Sequence, residues 1–420
     1  MTTNKHYSPF SRKPKVFYGY WIVAAGFFCA FITSGCGFYA FSLFVKPLQA
    51  EFDWSRGGIM AAFTIYFLVM GVAAPTIGNL VDRFGPRRVM ATGASIAGLG
   101  FISLSLMNNI WHFYGGYILI GVGQAGAGIV PITAVVSNWF QKRRGTAIGI
   151  MATGIGAGGL ALAPLIGGYL IPNLDWRVSY RVLALLAWTL IPLASLVIRA
   201  KPADMGLYPD GMQAPEVMAA ETSPLTDKGL TLKMALATSG FWLIVVSYIT
   251  NGFSQVGVVQ NQVPYLEDIG FPVAMAAGVL GVVGLGSLVG KFGFGWLCDR
   301  IAPKYAWSIS LGFQLTGTVL LMNIGSASPL AMVWLYAIIM GLGVGGWLPT
   351  MSMLVSTNFG LASYGIIFGM ITLAQCVGTA TGPLLAGYMY GYYEYLSLGF
   401  YYLSCLIYSS YADYLGGTPP

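Results

Sequence analysis

The chain has 420 residues, of which 56% are hydrophobic and only 8% are charged, and it contains 57 glycines. Ordinary soluble domains carry about 25% charged residues, so this composition excludes that class and indicates a polytopic membrane protein. The formal net charge of +7 is not a signal for nucleic-acid binding, because the basic residues occupy short loops between apolar segments.

Twelve apolar segments follow one another along the chain, most of them long enough to cross a bilayer core of about 30 Å. The predicted spans are 18–48, 57–80, 89–107, 112–138, 145–171, 178–199, 239–266, 272–297, 305–325, 329–357, 364–388 and 396–414. The last span is the weakest, since it is short and rich in tyrosine. The sequence therefore predicts an all-α membrane protein with twelve transmembrane helices.

Several motifs recur in the same order about 220 residues later. Gly78–Arg83 returns as Gly295–Arg300, and Ala163–Tyr169 returns as Gly382–Tyr388. Membrane transporters are commonly built from such repeats, so we predict two pseudo-symmetric six-helix bundles. The predicted organisation is an N-terminal tail (1–17), an N-terminal bundle (18–199), a cytoplasmic linker (200–238) and a C-terminal bundle (239–420).

Most of the 21 Lys and Arg residues lie in the tail, in the loops after spans 2, 4 and 8, and between spans 6 and 7. All of these segments fall on one side of the predicted membrane domain. The positive-inside rule makes that side cytoplasmic. We therefore expect a multi-pass protein of the cell (inner) membrane, surrounded by lipid bilayer, with both termini in the cytoplasm and no removable signal peptide.

No residue pattern for catalysis or metal binding is evident. His6 and His112 are the only histidines, and the five cysteines fit no metal spacing. The glycine runs Gly121–Gly128 and Gly341–Gly346 lie inside apolar spans without a preceding strand, so close helix packing explains them better than nucleotide loops. We expect no enzyme, no cofactor, no metal and no nucleic-acid partner.

The loop Gly78–Arg88 resembles the signature of the major facilitator superfamily, G-x-L-x-D-R-x-G-R-R, with Pro86 at an arginine position. Tyr18–Val23, Trp139–Gly149 and Val263–Gly270 resemble the monocarboxylate transporter family, especially bacterial members, and the related oxalate/formate antiporters. The resemblance implies a monomeric secondary transporter that moves a small organic monocarboxylate by alternating access, with proton symport expected. The alternatives are an oxalate/formate-type exchanger, a carrier for another class of compound, and a non-transporting receptor.

Lys291 lies eight residues before Asp299, about 12 Å along the helix of span 8. A lysine in the hydrocarbon costs about 2.5–3.5 kcal/mol, so we expect it to face a water-filled cavity and to pair with the substrate carboxylate. Snorkelling to the interface and a neutral buried lysine are the alternatives. The resembling family has an arginine in span 8, and its proton-handling aspartate corresponds to Ser287. Lys291 itself is then the candidate proton carrier, unless it stays charged in an anion exchanger.

Three polar residues are expected to help orient the carboxylate. Tyr39 in span 1 matches the position of a functional lysine in animal members of the resembling family. Asn251 and Gln255 in span 7 are four residues apart and share one helix face. Aromatic packing of Tyr39 and hydrogen bonding between helices by the two amides are the alternatives.

Acidic and basic residues at the ends of spans are expected to form the gate. The aspartates that end spans 2 and 8 can form charge networks with nearby arginines beside helix termini, which fits a latch between the bundles. A role in membrane topology alone is the alternative. The candidate gating residues are Asp82, Arg83, Arg144, Asp299 and Arg300.

Overall fold

The computed structural model describes residues 17–211, 229–326 and 328–393. Every regular element in these ranges is helical. Ten helical segments are long and apolar enough to cross a membrane, and an eleventh, Pro303–Met322, occupies the position of predicted span 9. The twelfth predicted span, 396–414, lies outside the described residues.

The first six spans follow the sequence prediction within a few residues. Span 1 contains a π-helical turn between two α-helices, and span 5 continues into another π-helical segment. Span 1 consists of Gly19–Thr33, Ser34–Tyr39 and Ala40–Phe52, span 2 of Arg56–Phe84, and span 3 of Pro86–Ser105. Span 4 consists of Ile110–Ala127 and Ile129–Trp139, span 5 of Arg144–Ala163, Pro164–Leu170 and Ile171–Leu174, and span 6 of Trp176–Trp188 and Leu190–Leu196.

Five further spans follow the linker. They are Ser239–Asp268, Val273–Cys298, Pro303–Met322, Leu330–Gly345 with Trp347–Phe359, and Tyr364–Tyr393. Spans 4 and 10 are each interrupted once, at Gly128 and Gly346. Gly128 has backbone angles outside the helical region (φ −95°, ψ −137°), which end one helix and begin the next.

Glycines bring neighbouring helices into backbone contact, as predicted for the two glycine runs. A Cβ built at Gly126 would lie 3.1 Å from the Cα of Gly93, and one at Gly341 would lie 3.0 Å from the Cα of Gly286. Helices in lipid associate by such close packing, because burial from water supplies little driving force there.

The two halves of the chain meet along two antiparallel helix pairs. Span 5 packs on span 8, where a Cβ at Gly149 would lie 2.6 Å from the carbonyl oxygen of Lys291. Span 2 packs on span 11, where a Cβ at Gly369 would lie 2.5 Å from the carbonyl oxygen of Ala74. Both pairs approach closely towards the end that carries the basic loops, which we call the basic side.

Two parts of the linker, one on each side of residues 212–228, contact these loops. The Asp210 carboxylate accepts hydrogen bonds from the backbone N–H groups of Gln141 and Lys142, at 2.9 and 2.8 Å. The Leu230 N–H donates to the carbonyl of Phe359 at 2.8 Å. The 4–5 loop and the 10–11 loop therefore each hold one end of the linker, and residues 212–228 between them lie outside the described ranges.

Candidate functional site

Lys291 is buried in span 8, with 3% of its surface exposed. Its Nζ donates to the hydroxyl of Ser287 one turn earlier. Because side chains on a helix lean towards its N-terminus, this contact directs the ammonium group away from Asp299 and the basic side. Lys291 therefore does not snorkel to the basic side in this structure. Lys291 forms no ion pair with any described residue.

The backbone of Lys291 lies where the two halves meet. Gly149 of span 5 contacts its carbonyl oxygen, and a Cβ at Gly345 of span 10 would lie 2.6 Å from its nitrogen. Only glycine permits both approaches, since the atoms opposite are backbone and cannot rotate away. Gly149 recurs as Gly369 in the second half of the sequence, which marks it as part of the repeat. The repeat does not show that Gly149 lies against Lys291.

Tyr39 ends the π-helical segment of span 1, and its ring lies against Gly159 of span 5. It also makes an edge contact with Phe38, with ring centroids 4.9 Å apart. Gly159 is ten residues after Gly149, about 15 Å along the helix. Tyr39 and Lys291 therefore border the same helix at different depths. The Lys291 side chain points towards the level of Tyr39, because spans 5 and 8 are antiparallel.

Asn251 is engaged in a hydrogen bond between helices. Its Nδ2 donates to Oε1 of Gln314 in span 9 at 2.9 Å, and Nε2 of Gln314 donates to the carbonyl of Gly343 in span 10 at 3.3 Å. A backbone carbonyl can only accept, so it fixes the orientation of both amides. For the amide nitrogen of Asn251, the structure therefore shows the alternative, a hydrogen bond between helices.

The carbonyl oxygens of Asn251 and Gln255 remain available as acceptors. Both are buried, and neither Asn251 Oδ1 nor Gln255 Oε1 has a hydrogen-bond partner among the described residues. Neither amide is bonded to Lys291 in that part of the chain. The structure therefore places the four candidate binding residues in spans 1, 7 and 8 without joining them directly.

Asp299 joins span 8 to span 5 at the basic side. Its carboxylate accepts from the N–H groups of Gly145 and Thr146, at 2.6 and 2.8 Å, and from the Thr146 hydroxyl at 2.6 Å. These N–H groups belong to the first turn of span 5, where helices have unsatisfied donors and a positive dipole end. Asp299 thus binds a helix N-terminus in the opposite half of the chain.

Asp82 makes the corresponding contact at spans 2 and 11. It accepts from the N–H groups of Gly365 and Ile366 at 3.4 and 3.3 Å. An acidic residue in the last turn of its own helix is disfavoured by the helix dipole, and the N-terminus of span 11 offsets this. We call the Asp299 and Asp82 contacts the span 5–8 latch and the span 2–11 latch.

The candidate gating arginines form no ion pair with these aspartates within the described residues. Arg300 lies 3.6 Å from the ring centroid of Trp296, and Arg83 lies 5.9 Å from that of Phe84. Arg144 donates from Nε to the carbonyls of Ser137 and Phe140 in its own half. The expected charge network with the arginines is therefore replaced by carboxylates bound to backbone N–H groups.

Hydroxyl groups also connect the two halves near the basic side. Tyr364, at the position equivalent to Arg144, hydrogen-bonds Ser352 at 2.6 Å, and Ser352 lies 3.4 Å from the hydroxyl of Ser137 in the other half. These hydroxyl contacts join spans 4, 10 and 11. These serines are small polar residues in apolar spans, and no motif or spacing singles them out.

Glu51 lies at the opposite end of the membrane domain, in the last turn of Ala40–Phe52, where this helix extends past predicted span 1 (18–48) and past the apolar membrane segment Gly19–Tyr39. It accepts hydrogen bonds from Trp176 Nε1 and from Arg177, the latter at 2.6 Å. Desolvation raises the pKa of Glu51, but the two hydrogen bonds and the charge of Arg177 outweigh it, so the pKa lies below the ordinary 4.5. This contact joins spans 1 and 6 within the N-terminal half.

The family model of the Major Facilitator Superfamily matches residues 27–407. Monocarboxylate transporter 13 of Bos taurus is 24% identical over 374 residues, which cover 89% of this chain and 83% of the relative. The oxalate:formate antiporter of Oxalobacter formigenes is 26% identical over 359 residues, covering 83% of this chain and 80% of the antiporter.

Among solved structures, the human organic anion transporter MFSD10 superposes with a TM-score of 0.73 at 14% identity, covering 96% of this chain and 100% of that chain. The predicted fold and the resemblance to monocarboxylate transporters and oxalate/formate antiporters are thereby confirmed. The chain belongs to the Major Facilitator Superfamily and is a multi-pass secondary transporter.

Proposed function

We propose that this transporter moves a small organic monocarboxylate by alternating access, with Lys291 binding the carboxylate. The observation that carries the proposal is the position of Lys291. It is the only buried charged side chain among the described residues, it lies between the two halves, and it has no acidic partner there. Substrate sites of such transporters lie at the interface of the repeats near the membrane midplane.

The charge of the site favours a single carboxylate. A buried cation without a counter-ion is costly, and an anion that pairs with it offsets that cost. One lysine neutralises one carboxylate, whereas a dicarboxylate would bring an excess negative charge into the same surroundings. A lysine also lacks the planar fork with which arginine binds two oxygens at once.

Polar groups around Lys291 would orient the substrate. Ser287 holds the ammonium group, and the Lys291 side chain points towards the level of Tyr39. In this proposal, the Tyr39 hydroxyl contacts the substrate on the side of Lys291 that faces away from the basic side. The unpartnered oxygens of Asn251 and Gln255 would accept hydrogen bonds from substrate or water when the cavity opens.

The two latches would gate access from the basic side. Asp299 and Asp82 each join the two halves there, and in this proposal their contacts break when the cavity opens to that side. We further propose that the protein works as a monomer in the cell membrane, with the basic side and both termini in the cytoplasm.

Coupling to protons would follow from the same lysine. Burial disfavours the charged form of a lysine, and a bound carboxylate favours it. Lys291 would then take up a proton with the anion and release both together, giving electroneutral symport. The relative named as an oxalate:formate antiporter supports exchange as a second candidate, in which Lys291 stays charged and returns only with an anion bound.

Uptake by proteoliposomes tests the proposal. Labelled mono- and dicarboxylates are offered to vesicles without internal substrate under an inward proton gradient. Symport predicts accumulation of a monocarboxylate that a protonophore abolishes, whereas exchange predicts uptake only with internal carboxylate. Lys291→Ala should abolish uptake while the protein remains inserted, and Lys291→Arg should retain part of it. Unchanged uptake by Lys291→Ala would remove the lysine from the substrate site.

A further inference from the structure

A groove of about 740 Å³ lies on the outer surface of the N-terminal half, away from Lys291. Its walls come from span 2 between Leu68 and Phe84, span 3 between Arg88 and Ile96, and Val122 of span 4. Leu68, Val72 and Phe84 are among the exposed large apolar side chains of the protein. The groove is therefore open to the surrounding lipid.

The length of the groove corresponds to one leaflet of the bilayer. Leu68 and Phe84 are sixteen residues apart on one helix, which is about 24 Å. A whole bilayer with its headgroups is about 40–45 Å thick, so half of it is close to the length of the groove. The wall is apolar except for Thr76, Thr92 and Arg88. The hydroxyl of Thr92 donates to backbone carbonyls of its own helix.

The end of the groove at the basic side carries unpaired positive charge. The Arg88 guanidinium has no ion pair or hydrogen bond with a described residue. Nearby, Arg87 donates to the carbonyl of Ser195, and Arg83 lies over the ring of Phe84, which itself lines the groove. The one acidic residue of this loop, Asp82, is bound to span 11. The headgroup level of the groove is thus cationic.

From this geometry we infer that the groove is a binding site for an anionic glycerophospholipid of the leaflet on the basic side. One acyl chain lies along spans 2, 3 and 4, and the phosphate pairs with Arg88. Arginine matches phosphate geometry through its planar fork of donors, and basic pockets between transmembrane helices bind anionic headgroups. A zwitterionic lipid offers the same chain but carries a compensating positive charge.

Native mass spectrometry of the full chain in detergent tests the inference, with phosphatidylglycerol or phosphatidylcholine added. Phosphatidylglycerol should bind more tightly than phosphatidylcholine. Arg88→Gln should lower the affinity for phosphatidylglycerol about fivefold, the effect of one arginine near an anionic surface. The matched control is Arg143→Gln, which removes an exposed arginine of the 4–5 loop and should leave the affinity unchanged.

A second variant tests the apolar part of the site. Ala73→Phe places a ring in the groove wall and should weaken binding of both lipids, because both use the same place for the chain. Equal affinity for the two lipids in the unaltered protein would overturn the inference. So would equal loss in Arg88→Gln and Arg143→Gln, or binding that neither Arg88→Gln nor Ala73→Phe changes.

Discussion

Asp299→Asn is expected to favour opening of the basic side about thirtyfold. The carboxylate of Asp299 accepts three hydrogen bonds of 2.6 to 2.8 Å from the first turn of span 5. Asparagine keeps one carbonyl acceptor, loses the charge and presents an N–H₂ group to donors. Hydrogen bonds to charged groups contribute about 1.5–3 kcal/mol each, so we expect the latch to lose about 2 kcal/mol. This loss shifts the equilibrium between the closed and open basic side roughly thirtyfold.

Cys298 provides a probe of this opening inside the native chain. It is buried, with 4% of its surface exposed, and its Cβ would lie 3.0 Å from a Cβ at Gly145 across the latch. A charged, membrane-impermeant thiol reagent reaches Cys298 from the basic side only when the latch is open. The rate of modification, measured on the Cys298 peptide by mass spectrometry, should therefore rise with the open fraction, about thirtyfold in Asp299→Asn.

Thr146→Val is the matched control, because it weakens the latch and leaves the charge beside Cys298 intact. It removes the hydroxyl that donates to Asp299 at 2.6 Å and should raise the modification rate about fivefold, for a loss of about 1 kcal/mol. Asp82→Asn should raise the rate least. A rise in Asp299→Asn alone, with Thr146→Val unchanged, would show a local charge effect on the thiol and refute the latch.

Three further outcomes are expected. Tyr39→Phe should raise the KM for the carboxylate about tenfold or more if the hydroxyl binds it, whereas a KM equal to that of the unaltered protein would leave Tyr39 a packing residue. Gly149→Ala should slow transport strongly in the same vesicles, since its Cβ would lie 2.6 Å from the Lys291 carbonyl; Gly156→Ala, with ordinary contacts of 3.7 Å, should not. Glu51→Gln should lower the free energy of unfolding at pH 7 by about 0.5 kcal/mol or less, because the ion pair with Arg177 is exposed. Since the folded pKa of Glu51 is depressed, its stabilisation is present above pH 4.5 and is lost as the pH falls through the folded value. A stability difference that persists in acid would contradict this assignment.

The boundaries of the helices could be predicted from the sequence because bilayer thickness sets their length. The helix that differs most at a functional position is span 2, predicted to end at residue 80 and observed to end at Phe84. Hydropathy stops at the first charged residues, whereas backbone hydrogen bonding continues through Asp82 and Arg83. The extra turn places the carboxylate of Asp82 at the N-terminus of span 11.

The partners within the site could not be predicted in the same way. The spacing of Asn251 and Gln255 predicts that they share a helix face, but the spacing is compatible with a face that meets either the cavity or span 9. The orientation is decided by Gln314 of span 9, whose amide is fixed by the carbonyl of Gly343. Nothing in the spacing of these residues relates them, because they lie on three different helices.

The internal repeat explains why the two latches differ in strength. Gly145 and Thr146 at the start of span 5 correspond to Gly365 and Ile366 at the start of span 11. Both pairs supply two backbone N–H groups to an aspartate, but isoleucine has no hydroxyl, so Asp82 lacks the third hydrogen bond that Asp299 receives. The Asp82 contacts with backbone N–H groups are also longer, at 3.4 and 3.3 Å against 2.6 and 2.8 Å for Asp299. Opening of the basic side should therefore begin at spans 2 and 11, with the span 5–8 latch, which lies on the same helix as Lys291, released last. This order would keep the basic side closed at spans 5 and 8 until the latch responds to the state of the lysine.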